Sequence, residues 1–218
     1  MILAIFDVDH TLLKADSLKL FGLFLWKKKG IRLSHLPGFV ASLFAWCLAL
    51  TDTGKLKAGY LKLLCGGMPV STVRELGREF AETLLGSKVF PQALELIHRH
   101  KTERHEIVLL SASPDIYLER LAELLGADML ICTKLSRASD FLTGDLEGGN
   151  CKGREKLRRL LEQYRELNID WSRSFAYSDS LSDLPILERA GRPIAVNPDR
   201  RLARIAVRRR WRIERWDT

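Results

Sequence analysis

The stretch that most limits the possible folds is the first one. Met1 to Phe6 is almost wholly apolar and runs directly into "DVD", which sets Asp7 and Asp9 one residue apart. A continuous apolar run without polar alternation suits a central strand of a parallel sheet, because both faces of such a strand are covered. Acids at its end would stand at the carboxyl rim of an open α/β sheet, where ligands bind. Two close carboxylates without compensation raise one another's pKa, and a hard cation relieves that conflict. Mg2+ takes oxygen ligands and keeps waters and substrate phosphate in its shell, so a few carboxylates suffice.

Other short apolar runs follow the same logic: "EIVLLSA" (106–112), "DMLICTKL" (128–135), "SFAYSD" (174–179) and "PIAVNP" (193–198). Helical patterns separate most of them. Pro91 opens one, and Ser113 with Pro114 reads as an N-cap and first-turn pair for a helix bearing Ile116, Leu118, Leu121 and Leu125 and closed by Gly126. Residues 153–168 form another, and Pro185 opens a short one that stops at Gly191. This alternation predicts an α/β fold, a Rossmann-like doubly wound parallel sheet.

Residues 16–86 have a different texture, with helix-like stretches and no convincing strand. The last of these begins at Thr72-Val-Arg-Glu75, a capping box. An all-helical cap domain over 16–86, inserted into a core of 1–15 and 87–218, is the expected organisation. Breaks at Gly30, Pro37, Gly54 and Gly66-Gly67 punctuate the insertion, and "TGDLEGGN" (143–150) reads as a hairpin or loop.

The 218 residues, 46% hydrophobic, can bury a substantial core and exclude a disordered chain. A net charge of +8 favours anionic partners, whether phosphorylated metabolites, nucleic acid or an acidic membrane surface. Cys47, Cys65, Cys132 and Cys151 show no CxxC pair and read as reduced thiols. No basic region precedes the first apolar run, so it does not read as a secretory signal, and cytoplasmic residence is expected. "LPGFVASLFAWCLAL" (36–50) is shorter than the roughly 20 apolar residues of a spanning helix and suits a buried or interfacial one.

"YSDSLSDLP" adds acids at another strand end, Asp179 at its close and Asp183 one turn later. Asp and Ser at strand ends are also ordinary turn chemistry. Two further strand ends change the weighting. Ser111, with Ala112 beside it, is suited to hold a phosphoryl oxygen near a helix N-terminus. "CKGREKL" contributes Lys152 and Lys156, either able to neutralise charge on a transferred phosphoryl group.

Taken in this order, Asp7-x-Asp9-x-Thr11, Ser111, the lysine, and Asp179 with Asp183 resemble the haloacid dehalogenase superfamily. The closest likeness is to its phosphoserine-phosphatase-like branch, which carries a helical cap soon after the first motif. The resemblance implies a Mg2+-dependent phosphatase acting on a small phosphomonoester. Asp7 would be the nucleophile that becomes an aspartyl phosphate, and Asp9 the acid and then base. Asp7, the Asp9 backbone carbonyl and Asp179 would hold the metal, with Asp183 in support. In that branch the motif lysine begins a helix leading to the acidic strand, which favours Lys156 over Lys152. Thr11 would orient the loop and bind phosphate. Asp16 falls where the branch reads a substrate amine, and is equally an N-cap for the following helix. His10 falls at a variable turn position.

Some features stand outside this pattern. The serine motif reads "SAS" rather than glycine-rich, and Ser182 replaces the usual Asn, which weakens any claim to phosphoserine itself. Phe21, Phe24, Trp26, Phe39, Phe44 and Trp46 read as a helix-bundle core, with an apolar substrate slot or a membrane contact aided by Lys27, Lys28 and Lys29 as the alternative. His35, His98, His100 and His105 show no ligand spacing. The basic C-terminal "RRLARIAVRRRWRIERW" reads as a packed tail with a basic outer face. No obligatory nucleic acid and no transmembrane segment is expected, and oligomeric state is not legible. Two other functions fit the residues: a phosphotransferase using the same site, and a nucleic-acid or anionic-membrane binding protein whose site is vestigial.

Overall fold

The computed structural model describes residues 1–29 and 53–216. Within them lie strands β1 (Leu3–Phe6), β2 (Glu106–Pro114), β3 (Met129–Ala138), β4 (Phe141–Glu147), β5 (Phe175–Ser178), β6 (Arg192–Val196) and β7 (Arg212–Glu214). They form one sheet in the order β4-β3-β2-β1-β5-β6-β7. All pairs are parallel except β3 with β4. This is the Rossmann-like doubly wound architecture expected from the sequence. All four residues of β1 are buried, and they alternate between two cores. Ala4 and Phe6 enter one hydrophobic cluster, Leu3 and Ile5 the other. Each fully buried Leu or Ile contributes about 1.5–3 kcal/mol, which fixes β1 at the centre.

The register then places the site. Phe6 lies opposite Leu109 on one side and Tyr177 on the other. The residues just after Phe6, Leu109 and Tyr177 therefore share one rim. Strand β1 has β2, the next strand in the sequence, on one flank and the later β5 on the other, so the order reverses between β1 and β5, the crevice where open α/β sheets bind ligands.

Helices α1 (Ser17–Lys29), α2 (Thr53–Cys65) and α3 (Val70–Ser87) separate β1 from α4 (Pro91–Thr102) and β2. No described residue between 16 and 86 belongs to a strand of the sheet. Phe21 and Phe80 are buried against Phe24 and Tyr117, the bundle-core arrangement, whereas Trp26 is 41% exposed. Lys28 pairs with Glu79. Phe39, Phe44, Trp46, His35, Cys47 and the apolar run 36–50 lie outside the described residues, as do Gly30 and Pro37. Helix α3 packs on α5 (Asp115–Leu125) at Gly77, where a Cβ would sit 2.0 Å from the Ile116 carbonyl oxygen. Only glycine permits that approach.

Two capping expectations fail for the same reason, a neighbouring segment that supplies the partner. Helix α3 begins at Val70, before Thr72, and has no side-chain cap. The Val70 N–H donates instead to the Asp140 carbonyl in the turn of the β3–β4 hairpin. Ser113 and Pro114 remain in β2, and Ser113 does not cap α5. Gly126 closes α5 in the left-handed conformation. The residues "TGDLE" of 143–147 form part of β4, so the turn lies earlier, at Ser139 and Asp140.

Beyond β4 come α6 (Arg154–Gln163), a single 3-10 turn (Leu181–Asp183), α7 (Leu184–Arg189) and α8 (Arg200–Arg209). The C-terminal segment packs as expected. Asp199 caps α8 through the N–H groups of Arg201 and Leu202, β7 extends the sheet, and Trp216 packs edge-on against Phe90. Cys65, Cys132 and Cys151 are buried free thiols. Among the described residues no helix is long and apolar enough to cross a membrane.

Candidate active site

The carboxyl rim gathers the motif residues. Asp7 follows β1 and is tied to β5 by its own N–H, which donates to the Tyr177 carbonyl. Its Oδ1 accepts from Lys156 Nζ at 2.6 Å, and its Oδ2 lies 3.2 Å from Thr11 Oγ1. The same Thr11 hydroxyl lies 3.3 Å from Asp179 Oδ1 and accepts from the Asp179 N–H at 3.0 Å. One hydroxyl proton cannot serve two carboxylates at once, so Asp7 and Asp179 converge on a donor they must share.

Lys156 reaches the rim from the first turn of α6, whose buried face carries Lys156 and Leu160 one turn apart. Gly153 sets the entry to that helix with φ +61, a conformation L side chains rarely adopt. Lys156 bonds Asp183 Oδ2 at 2.7 Å as well as Asp7, and Ser178 Oγ donates to the same Asp183 oxygen at 2.9 Å. Lys152 is exposed. The structure thus places Lys156, and not Lys152, between the acids.

Asp9 faces the other way. Its Oδ1 accepts from the Ser17 N–H at 2.7 Å, at the start of α1, and its Oδ2 accepts from Ser113 Oγ. Ser113 can reach it because β2 leaves register with β3 between Leu110 and Pro114, a bulge that lifts Ser111, Ala112 and Ser113 off the ladder. Ser111 is fully buried, and its Oγ accepts from the Ser113 N–H. The Ser17 hydroxyl also meets Ser113 Oγ and the Tyr117 hydroxyl.

Burial dominates the electrostatics. It pushes the Asp7 carboxyl up to about 7 against the pull of Lys156, with Asp183 and Asp9 adding to the rise. Asp179 goes up to about 8 through burial and the charges of Asp7 and Asp183. Asp9 is raised by burial and then by Asp16, while its Ser113 and Ser17 hydrogen bonds oppose the shift. Burial works against the Lys156 charge, yet Asp183 and Asp7 hold it firmly protonated. Carboxylates raised by burial and by one another's charge, and converging on a single shared hydroxyl, fit a hard divalent cation. Asp7 and Asp179 are the carboxylates so arranged; those of Asp9 and Asp183 are engaged by Ser17 with Ser113 and by Lys156 with Ser178.

Of the remaining candidates, Asp16 Oδ1 accepts from the Lys19 N–H at 3.1 Å, the N-cap geometry, while its charge is felt at Asp9. His10 is exposed with φ +59, a turn residue. Contrary to the sequence reading, His100 and His105 do come together with Glu103, their ligand atoms within 4.8 Å of one another. Arg104, at φ +57, turns the chain back so that the His105 N–H bonds the His100 carbonyl. His100 Nδ1 meets His105 Nδ1 at 2.8 Å and its Nε2 meets the Tyr177 hydroxyl at 2.8 Å, apart from the carboxylate rim.

Sequence reasoning missed Lys57. Its Nζ donates from α2 to the Ala112 carbonyl at 2.6 Å and to Asn150 Oδ1 at 2.7 Å. Thr133 Oγ1 donates to the same carbonyl. Burial lowers Lys57 to about 8, with the Asp9 charge opposing. A signal was present: Lys57 shares a helical stripe with buried Tyr60, Leu61 and Leu64, a position where lysine is out of place unless paired.

A Rossmann-like sheet with an aspartate at the end of β1, and a lysine and a second acid across the β1–β5 crevice, defines a hydrolase class. The model for haloacid dehalogenase-like hydrolases matches residues 4–188, and the chain belongs to that family, as an enzyme of the phosphatase kind. It is 33% identical over 213 residues to the "inhibition of morphological differentiation protein" of Streptomyces azureus, covering 96% of this chain and 76% of that one. It is 29% identical over 213 residues to a Mycobacterium tuberculosis protein named phosphoserine phosphatase, covering 96% and 69%. A solved structure from Bordetella pertussis, described as a protein with unknown function, superposes with a TM-score of 0.87 at 25% identity, covering 97% of this chain and 96% of that one.

Proposed function

We propose that the chain is a Mg2+-dependent phosphomonoesterase that hydrolyses a small phosphorylated metabolite through an aspartyl phosphate on Asp7, with residues 16–86 serving as a cap over the site. The observation that carries this reading is the division between the two acids. Asp7 is held against Lys156 and Thr11, whereas Asp9 is turned toward Ser17 and Ser113 at the foot of the helices. One acid faces a phosphoryl group and the other faces its leaving oxygen.

In the first step an Asp7 carboxylate oxygen attacks phosphorus and the ester P–O bond breaks. Asp9, raised by burial so that it retains a proton, gives it to the departing oxygen. In the second step Asp9, now a carboxylate, takes a proton from the water that attacks the phosphoaspartate. The bond from phosphorus to Asp7 then breaks, inorganic phosphate leaves and the Asp7 carboxylate is restored. Lys156, Thr11 and Ser111, with the Ala112 backbone, hold the phosphoryl oxygens, and Lys156 offsets their growing charge. A bound Mg2+ held by Asp7, Asp179 and the Asp9 carbonyl, with Asp183 steadying Lys156, would supply further positive charge against those oxygens.

Asp16 stands on the helical side of Asp9, where a carboxylate suits an amine-bearing leaving group, so phosphoserine belongs among the first substrates to try. The name of the M. tuberculosis relative supports that choice. The test is phosphate release from phosphorylated amino acids, sugars, nucleotides, lipids and an aryl phosphate, with Mg2+ and with chelator, beside Asp7→Asn. Magnesium-dependent release that vanishes in the variant is the expected result. Equal release by a folded Asp7→Asn protein would overturn the mechanism.

A further inference from the structure

The carboxylate rim is not the only charged concavity. Toward the amino ends of β5, β6 and β7, residues from these strands, α4 and the α8–β7 turn enclose an open pocket of about 570 Å3. That volume falls within the range of small-ligand sites, about 300–1,000 Å3. Its walls carry Arg99, Arg192, Arg209, Arg210 and Arg212 against one acid, Glu188. Arg209 pairs with Glu188 and Arg212 with Glu214. Among the described residues Arg99, Arg192 and Arg210 have no carboxylate within ion-pair distance.

A helix C-terminus favours cations, which accounts for Arg209 at the end of α8. It also accounts for Arg99, in the last turn of α4, but not for Arg192 and Arg212, which arrive from strands β6 and β7. Aromatic faces order two of the guanidinium groups: Arg192 lies 4.9 Å over the Phe175 ring and Arg209 lies 5.2 Å over Trp211. Guanidinium groups keep their charge at any ordinary pH, so gathering them round one cavity sets up a positive field that an entering anion neutralises. Planar forks held in place match phosphoryl oxygens, each taking two. The uncompensated charge exceeds what one phosphate monoanion would neutralise.

We propose that this pocket binds a soluble ligand carrying two or more phosphoryl groups, at a site separate from the catalytic carboxylates. The inference does not depend on the reaction assigned above.

Methylenebisphosphonate, which has no hydrolysable P–O–P bond, is the probe. Its binding to the whole chain is measured by titration calorimetry in chelator, where the acidic rim repels anions, with sulfate at equal ionic strength as the control. The expected result is binding about tenfold or more tighter than sulfate, weakened about tenfold or more in Arg192→Gln/Arg210→Gln and unchanged in Asp7→Asn. Both arginines are exposed, so the double variant should melt as the parent does and release phosphate from an aryl phosphate at the parent rate. Equal affinity for sulfate, an unaltered affinity in the double variant, or loss in Asp7→Asn would overturn the proposal. So would arginine-dependent binding of a short single-stranded oligonucleotide, or of vesicles containing phosphatidylserine, by a chain that ignores the bisphosphonate.

Discussion

The two ends of the sheet hold charge in opposite ways. At the carboxyl end Asp7 and Asp183 close on one buried lysine, with Asp179 and Asp9 beside them, and every carboxylate has at least one donor. At the other end arginines outnumber acids and stand in water. Burying a charge costs several kcal/mol unless it is paired and hydrogen-bonded. The carboxyl end must therefore be fully interlocked to exist, and it comes with its geometry set. Solvent screens the arginine end, which can carry an excess of one sign at little cost to folding. Preorganised chemistry belongs to the first and adjustable affinity to the second.

Four measurements would break or sharpen that contrast. The largest effect is expected from Asp7→Asn, which should lower turnover by about a thousandfold or more while leaving the melting temperature near or above that of the parent. The variant removes the proposed nucleophile and, at the same time, a crowded charge. Lys156→Met should cost about 3–5 kcal/mol in urea unfolding at pH 8 in chelator, since Asp7 and Asp183 then face each other without a cation. The loss should shrink toward pH 5. Without the lysine the folded pKa of Asp7, already raised by burial, rises further, and such a group stabilises the fold below its unfolded pKa and loses that contribution as pH rises through the folded one. A loss of the same size at both pH values would show that packing, not charge, is what Lys156 provides.

Between the ends sits His100, which burial, then His105 and Arg99, hold down to about 4 from 6.5. A base with a depressed folded pKa contributes its stability above the unfolded value and forfeits it as pH falls toward the folded one. Unfolding free energy should thus drop by up to about 3 kcal/mol between pH 6.5 and 4 on account of this group. His100→Gln should flatten that part of the profile, and an unchanged slope would assign the acid sensitivity elsewhere. Least affected should be Arg209→Gln. Its pair with Glu188 is exposed at 45% and 40%, so thermal unfolding should register less than about 1 kcal/mol.

The strands were legible because a buried parallel strand needs an uninterrupted apolar run, and β1, β2, β5 and β6 each have one. Asp7, Asp9 and Asp179 were legible as acids terminating or following such runs. What escaped notice depended on partners distant in the chain. Ser113 looked like a helix cap because nothing local reveals a bulge that turns its hydroxyl toward Asp9, 104 residues earlier. Thr72 looked like a cap because the hairpin carbonyl that satisfies Val70 comes from Asp140. The His100–His105 contact needed a left-handed Arg104, a conformation with no local signature in "HKTERH". Lys57 was different, since its place on an apolar stripe was visible and simply went unread.

The position of β1 in the sheet also governs how the protein must fold. The strand that leads into Asp7 pairs with neighbours beginning at Glu106 and Phe175, so its two ladders close long loops before either is rewarded. Long-range pairing of this kind slows folding. During synthesis β1 emerges long before β5, and Asp179 and Asp183 arrive only with the latter. A partly assembled chain therefore holds Asp7 without its crevice. Recovery of turnover on refolding would mark completion of the central sheet more sharply than recovery of helix content.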